Sequence, residues 1–358
     1  MAKIIKSIDL LLLLPAILLS SLGLLLIYST SYETDPSFFA RQAIYIVFSI
    51  IIFFVISRFD FKTISHISPL LYVFVIFLLL ATFFVGASVR GSMRWIDLGF
   101  ITVQGSELSK PILVLTLASF FARFSPSNFK NLTVSVGLLI LPLVFILRQP
   151  DLSNSLILLS GWLFMVFMAG VNLLYLLTVV IILAASAPLI WGYLLKGYQK
   201  ARILSFFNPT IDPQGASYNV VQALIALGSG QVMGKGLGRG TQSHLDFLPE
   251  GRTDFIFSVA GEELGFIGLG LIILIFTFLV YRILKIAAGC RSAESGLFTY
   301  GAAFIIGVQF FINAAMNMGI FPVSGVTLPF VSFGGSSMVS MFVLLGLVQA
   351  VENSLEKH

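Results

Sequence analysis

"LLLLLPAILLSSLGLLLIY", residues 10–28, runs nineteen positions without an Asp, Glu, Lys or Arg. About 20 apolar residues cover the hydrocarbon core of a bilayer, so this stretch reads as a membrane span. It is too long for a signal-peptide core and no A-x-A pattern follows it, so it reads as a retained first span. The rest of the chain is written in the same language. Of its 358 residues, 58% are hydrophobic and 10% are Asp, Glu, Lys or Arg, and the mean hydropathy is +1.01. A soluble domain of this size needs a polar shell with about a quarter charged residues. This composition excludes one and makes the bilayer the solvent. The single cysteine, Cys290, excludes an internal disulfide and leaves the redox compartment open. A net charge of +5 with no long Lys/Arg run argues against nucleic acid as a partner.

Outward from the first span, ten segments meet the length test: 10–28, 43–57, 68–87, 107–123, 132–148, 153–169, 173–195, 255–281, 297–318 and 331–350. The expected architecture is an all-α polytopic membrane protein with about ten transmembrane helices, a single membrane domain over 1–358. Ten spans put both termini on one side. With the N-terminus in the cytoplasm, the inner segments carry Lys3, Lys6, Arg58, Lys62, Arg123, Lys130, Arg282, Lys285, Arg291 and Lys357. The short outer ones carry Arg41, Arg90, Arg94, Lys110 and Arg148. That bias favours both termini inside. The acids Glu33, Asp35, Asp97, Glu107, Asp151, Asp212, Asp246, Glu250 and Asp254 then crowd outward, and the middle of the membrane reads as bare of charge. The long connection 196–254, between the seventh and eighth spans, mixes apolar stretches with turns. Residues 203–207 and 220–227 suggest short amphipathic helices there. A loop this long with apolar content is usually functional.

Four motifs carry chemistry, each with a plainer alternative. "FLPEGRTDFIF" (247–257) gathers Glu250, Arg252 and Asp254 beside the eighth span. Asp254 suits a helix N-cap; equally, ionisable groups beside a bilayer mark functional sites, and a partly dry carboxylate is what a general base needs. In "VRGSMRWIDLGFITVQGSELSKP" (89–111), Glu107 and Lys110 share a helix face and can pair. Arg94 and Trp95 read either as an interfacial anchor or, with Lys110, as the surroundings of an anionic ligand. "GSGQVMGKGLGRGTQ" (228–242) offers glycine N–H groups for an anion nest, with Lys235 and Arg239 adding charge; flexibility is the alternative, and P-loop spacing is absent. "GIFPVSGVTLPFVSFGGSS" (319–337) suggests a re-entrant or broken segment covered by protein. His244 and Asp246 are half a metal site at most.

Taken together, the 197–268 stretch ending in "FLPEGRTDFIFSVAGEELGFIG", the "FPVSGVTLPFVSFGGSS" block, "RWIDLGFITVQGSELSK" and "QPDLSNS" resemble the shape, elongation, division and sporulation (SEDS) family of RodA and FtsW, over essentially the whole chain. "QPDL" and "NAAMNMGIFPVSGVTLPF" look like the elongation-type, RodA branch. The chain departs from the family's usual pattern with "QGSE", with Ser153 after "PDL", and with "EGRTDF".

The resemblance implies a peptidoglycan glycosyltransferase polymerising lipid II on the outer face of the bacterial cytoplasmic membrane. It implies a class B penicillin-binding protein transpeptidase and elongation-complex membrane proteins as partners. Asp254 aligns with the family's essential acid and is the expected general base. Arg94, Lys110, Arg202, Lys235 and Arg239 are the expected cations for the departing pyrophosphate, with Trp95 beside them. Glu107 is expected to orient Lys110, and Glu250 and Arg252 to shape the loop. A divalent cation such as Mg or Mn could share the charge, although no dedicated cage stands in the sequence; no organic cofactor is expected. The competing readings are a flippase for lipid-linked precursor and a non-catalytic scaffold of the elongation or division machinery. The bare mid-membrane and the lack of a visible internal repeat argue against the first, and a replaceable Asp254 is what the second requires.

Overall fold

The structure is a computed structural model that describes residues 8–32, 34–89, 92–97, 99, 102–208, 215–245 and 247–355. A helix covers most of each of the ten expected segments, with 331–334 irregular before the last one. In chain order the helices are α1 (Leu10–Ser31), α2 (Ser37–Ile56), α3 (Phe61–His66), α4 (Ser68–Val85), α5 (Gly105–Arg123), α6 (Phe129–Arg148), α7 (Leu152–Met168) and α8 (Leu173–Leu189). A π-helical turn, Ile190–Leu194, extends α8. Then come α9 (Gly197–Phe207), α10 (Ala216–Ser229), α11 (Thr241–His244), α12 (Ile256–Gly289), α13 (Ala293–Asn317) and α14 (Gly335–Leu355). Seven of the described helices are long and apolar enough to cross a membrane. Of the remaining three expected spans, α4 and α7 are shorter apolar helices, and α5 carries Glu107, Lys110 and Arg123.

Helices are the solution the bilayer imposes, because no water is available there to satisfy a free backbone N–H or C=O. Their ends are closed by side chains: Asp9, Asn128, Asp151, Asn172 and Ser292 each accept a first-turn N–H. Lipid-facing Leu, Ile and Phe side chains such as Leu70, Phe77 and Phe84 are exposed, as expected where lipid is the solvent. The core lies where α14 meets α2 and α5, α12 meets α1 and α13, and α13 meets α5 and α7. By contrast, α8 has no buried residue.

Two parts of the fold were not in the sequence reading. The connection before α5 is a small antiparallel sheet of β1 (Ala87–Val89), β2 (Ser92–Asp97) and β3 (Thr102–Gln104), in which Trp95 faces Gln104. And α12 is broken at Gly265, whose φ of 67° and ψ of −165° are not helical. The long connection does hold the two short helices expected, within α9 and α10, and adds α11, with 209–214 outside the described residues. Between α13 and α14 the chain is irregular yet buried, at Val326, Leu328, Phe330 and Val331 among others. Protein covers it, which is the condition for irregular backbone at membrane depth.

Candidate active site

The turn that precedes α12 is fixed from both sides. Glu250, at φ 60°, presents its carbonyl to the N–H groups of Thr253 and Phe255. The next carbonyls are taken by the far end of the chain. Phe333 N–H donates to Arg252 O at 2.9 Å, and Ser332 Oγ donates to Thr253 O at 2.6 Å. The amides of Asn313 and Asn317 donate to Asp254 O at 2.8 and 3.0 Å. Four anchors in three successive residues leave the Asp254 backbone little freedom. Phe255, not Asp254, stands at the N-cap position of α12, and it supplies no side-chain cap.

The Asp254 carboxylate points instead toward the segment between α13 and α14. Gly325 has φ 72°, and a Cβ placed on it would lie 3.3 Å from Asp254 Oδ2 and 3.9 Å from Arg202 Nη1. A carboxylate and a guanidinium therefore converge on one glycine from two different elements. Arg202 belongs to α9, and its guanidinium also lies 5.7 Å from the Tyr198 ring centroid, within cation–π range. Tyr198 OH donates to Pro150 O at 3.0 Å. Arg94, from β2, donates to Gln149 O at 3.0 Å and also to Pro150 O. Arg94 and α9 thus meet at the start of α7, where Asp151 is buried and receives Gln104 Nε2, Ser106 Oγ and Asn154 Nδ2 at 2.9–3.0 Å.

The chain as a whole has known counterparts. The family described as cell cycle protein FtsW/RodA/SpoVE matches residues 8–357. The chain belongs to that family. It is 36% identical over 343 residues to peptidoglycan glycosyltransferase MrdB of Escherichia coli K12, covering 94% of this chain and 92% of that protein. It is 35% identical over 363 residues to stage V sporulation protein E of Bacillus subtilis 168, covering 95% of each. A solved structure described as "Structural coordination of polymerization and crosslinking by a peptidoglycan synthase complex" superposes with a TM-score of 0.83 at 27% identity, covering 98% of this chain and 99% of that one.

Against this FtsW/RodA-type frame, the expected site residues separate into two groups. Asp254, Arg202, Arg94 and Trp95 lie on the segments that meet around the α12 start, the α9 face and the small sheet. The others are engaged elsewhere. Lys110 is fully buried; its Nζ lies 2.7 Å from Glu107 Oε2, the pair their spacing predicts, and donates to Gln309 Oε1 at 2.7 Å. Glu250 Oε2 accepts from Thr253 Oγ1 at 3.0 Å, inside its own turn. Arg252 reaches back to Thr30 O and Thr34 Oγ1 and lies 4.9 Å from the Phe38 ring centroid, tying the turn to α1 and α2.

The glycine-rich stretch does something the sequence did not suggest. The break in α12 leaves carbonyls on one side and N–H groups on the other without helical partners. Lys235 and Gly236 N–H donate to Glu262 and Glu263 O, both at 2.9 Å, while Phe266 and Ile267 N–H donate to Gln231 and Val232 O. The loop is a backbone clasp over the break, and those two N–H groups serve helix carbonyls rather than an anion. Lys235 Nζ sits 2.8 Å from Glu262 Oε1. Glu262 also receives Gln242 N–H, Ser243 N–H and Ser243 Oγ, each at 3.0 Å. Glu263 meets His244 Nε2 at 2.9 Å and Ser29 Oγ at 2.7 Å. Arg239 is exposed. His244 is therefore committed to Glu263, and Asp246 is outside the described residues. Among the described residues no group of three or more His, Cys, Asp or Glu converges as a metal cage would.

Glu262 and Glu263 are two acids near the start of α12 that the sequence motifs above leave unnamed. Both are buried within α12, and "AGEELG" (260–265) was the signal. Buried carboxylates need partners: Lys235, Gln242 and Ser243 serve Glu262, and His244 with Ser29 of α1 serves Glu263.

Proposed function

We propose that the chain is a peptidoglycan glycosyltransferase of the bacterial cytoplasmic membrane that polymerises lipid II for wall elongation, with Asp254 as its general base. The observation that carries this reading is the convergence of the Asp254 carboxylate and the Arg202 guanidinium on Gly325. Its support is a backbone stapled at residues 252–254, in a chain whose relative along nearly its whole length is named for that activity. In this reading Asp254 accepts the proton of the acceptor GlcNAc 4-hydroxyl as that oxygen attacks the anomeric carbon of the donor MurNAc. The bond from that carbon to the polyprenyl pyrophosphate breaks, and inversion yields a β-1,4 link. Arg202 is the cation best placed to meet the developing pyrophosphate charge, with Arg94 next, reaching Tyr198 of α9 from β2. A divalent cation would arrive with the pyrophosphate and be held largely by its oxygens, which is how Mg²⁺ is commonly bound at phosphate-transfer sites.

The Lys/Arg bias favours both termini in the cytoplasm, which sets the Asp254 turn at the outer face. Apolar spans beside the turn suit substrates that each carry a long lipid tail. A class B penicillin-binding transpeptidase, together with elongation-complex membrane proteins, is the proposed partner set. The likeness to a synthase complex that coordinates polymerization with crosslinking supports the first of these.

The test is glycan polymerisation from lipid II by purified protein, with and without a co-expressed transpeptidase, for wild type and Asp254→Asn. Glycan from wild type and none from a well-folded Asp254→Asn is the expected result. Equal ladders from both would move the base elsewhere.

A further inference from the structure

In a continuous helix the N–H of Ser258 would donate to the carbonyl of Asp254, four residues earlier. It does not do so here. Ser258 N–H is shared between Phe255 O and Asn317 Oδ1, each at 3.0 Å, and Ser258 Oγ donates to the same amide oxygen at 2.7 Å. Asn317 Nδ2 donates to Asp254 O at 3.0 Å. A side-chain amide from α13 therefore bridges two groups that would pair directly if α12 began one turn earlier, accepting from Ser258 and donating to Asp254 O. Asn313, one turn earlier on the same face, adds a second donor to Asp254 O at 2.8 Å and a donor to Val326 O at 2.6 Å. Val326 follows Gly325, the residue against which the carboxylate lies. Asn313, Asn317 and Ser258 are all fully buried.

We infer that Asn317, assisted by Asn313, is a positioning residue that holds Asp254 out of the first turn of α12 and ties it to the Gly325 segment, so that the carboxylate faces the substrate. An amide is the group that can do this, because one end must accept and the other donate. Alanine would let Ser258 N–H close directly on Asp254 O, drawing Asp254 into the helix and turning its carboxylate away from Gly325. Aspartate at 317 would keep the shape but lose the donor. The inference rests on the reading of Asp254 as the general base.

The experiment compares wild type, Asn317→Ala, Asn317→Asp and Asn313→Ala in lipid II polymerisation, with thermal stability measured alongside. Gln349→Ala serves as a buried-polar control; Gln349 accepts from Asp9 N–H at 2.9 Å, far from the turn. For Asn317→Ala the expected result is a fall in kcat on the order of 10²-fold, the scale of an ångström's misplacement of a reacting group, with KM for lipid II held within about twofold. Its melting temperature should fall no further than that of the control, since the helix rung re-forms. Undiminished kcat, or losses in kcat that merely track stability as in the control, would overturn the inference. If wild type itself makes no glycan, the glycosyltransferase reading fails separately. An electron cryomicroscopy structure of Asn317→Ala then decides the placement: a Ser258–Asp254 rung with the carboxylate swung off Gly325 supports it, and an unmoved carboxylate overturns it.

Discussion

Lys235 and Glu262 meet at 2.8 Å where the glycine-rich loop closes over the break in α12. Glu262 is fully buried, and Lys235 keeps a quarter of its side chain exposed. Removing one partner of a buried pair strands the other, at about 3–5 kcal/mol. Glu262→Ala should therefore destabilise strongly, because it takes the shared acceptor away from Lys235, two backbone N–H groups and the Ser243 hydroxyl together. Lys235→Ala should cost less, since its charge can hydrate and Glu262 keeps its other donors. Thermal unfolding in detergent gives the order, and limited proteolysis of the 230–245 loop should rise with it. Equal melting of Glu262→Ala and wild type would remove the clasp from the stability argument.

The break itself makes a sharper prediction. At Gly265 a Cβ would lie 2.2 Å from Gly234 N and 2.6 Å from Val232 O, at a positive φ. Backbone cannot yield as a side chain can, so Gly265→Ala should unseat the loop and lower both yield and melting temperature. Gly270, in the same helix, has open space around it, and Gly270→Ala should leave stability unchanged or slightly raised. Similar melting of the two variants would show that the clasp is not held at Gly265.

These elements show what sequence could and could not reveal. The long helices were legible because a long apolar run has few structural outcomes in a bilayer. The Glu107–Lys110 pair was legible because its two members are a helical turn apart. The pairing of Lys235 was hidden because its carboxylate is 27 residues away in sequence, and because a cation among glycines reads equally well as an anion site. Glu262 and Glu263 were masked by the apolar residues on both sides of them. The role of Asn317 depends on a contact 59 residues distant, and local pattern carries no trace of it.

Gly325 tests the geometry of the site without replacing any of its charged groups. An added methyl would press on Asp254 Oδ2 at 3.3 Å and would require an L residue at φ 72°. Gly325→Ala should lower kcat on the order of 10²-fold through displacement of the carboxylate, with a smaller change in KM. Wild-type turnover from this variant would mean that the carboxylate acts from a different position.

Lys110 separates a structural ion pair from a ligand contact. It is fully buried and meets Glu107 Oε2 and Gln309 Oε1, both at 2.7 Å, so its charge is already answered within the protein. Lys110→Met strands the Glu107 carboxylate and should cost about 3–5 kcal/mol. Glu107→Gln strands the ammonium in turn. Replacing both should be milder than either alone, because neither unpaired charge remains, and the coupling between neighbours is what such a cycle measures. The Glu107→Gln/Lys110→Met protein should regain stability and, with it, glycan synthesis per folded molecule. A double variant that melts like wild type yet makes no glycan would instead return Lys110 to the set of groups that contact the pyrophosphate.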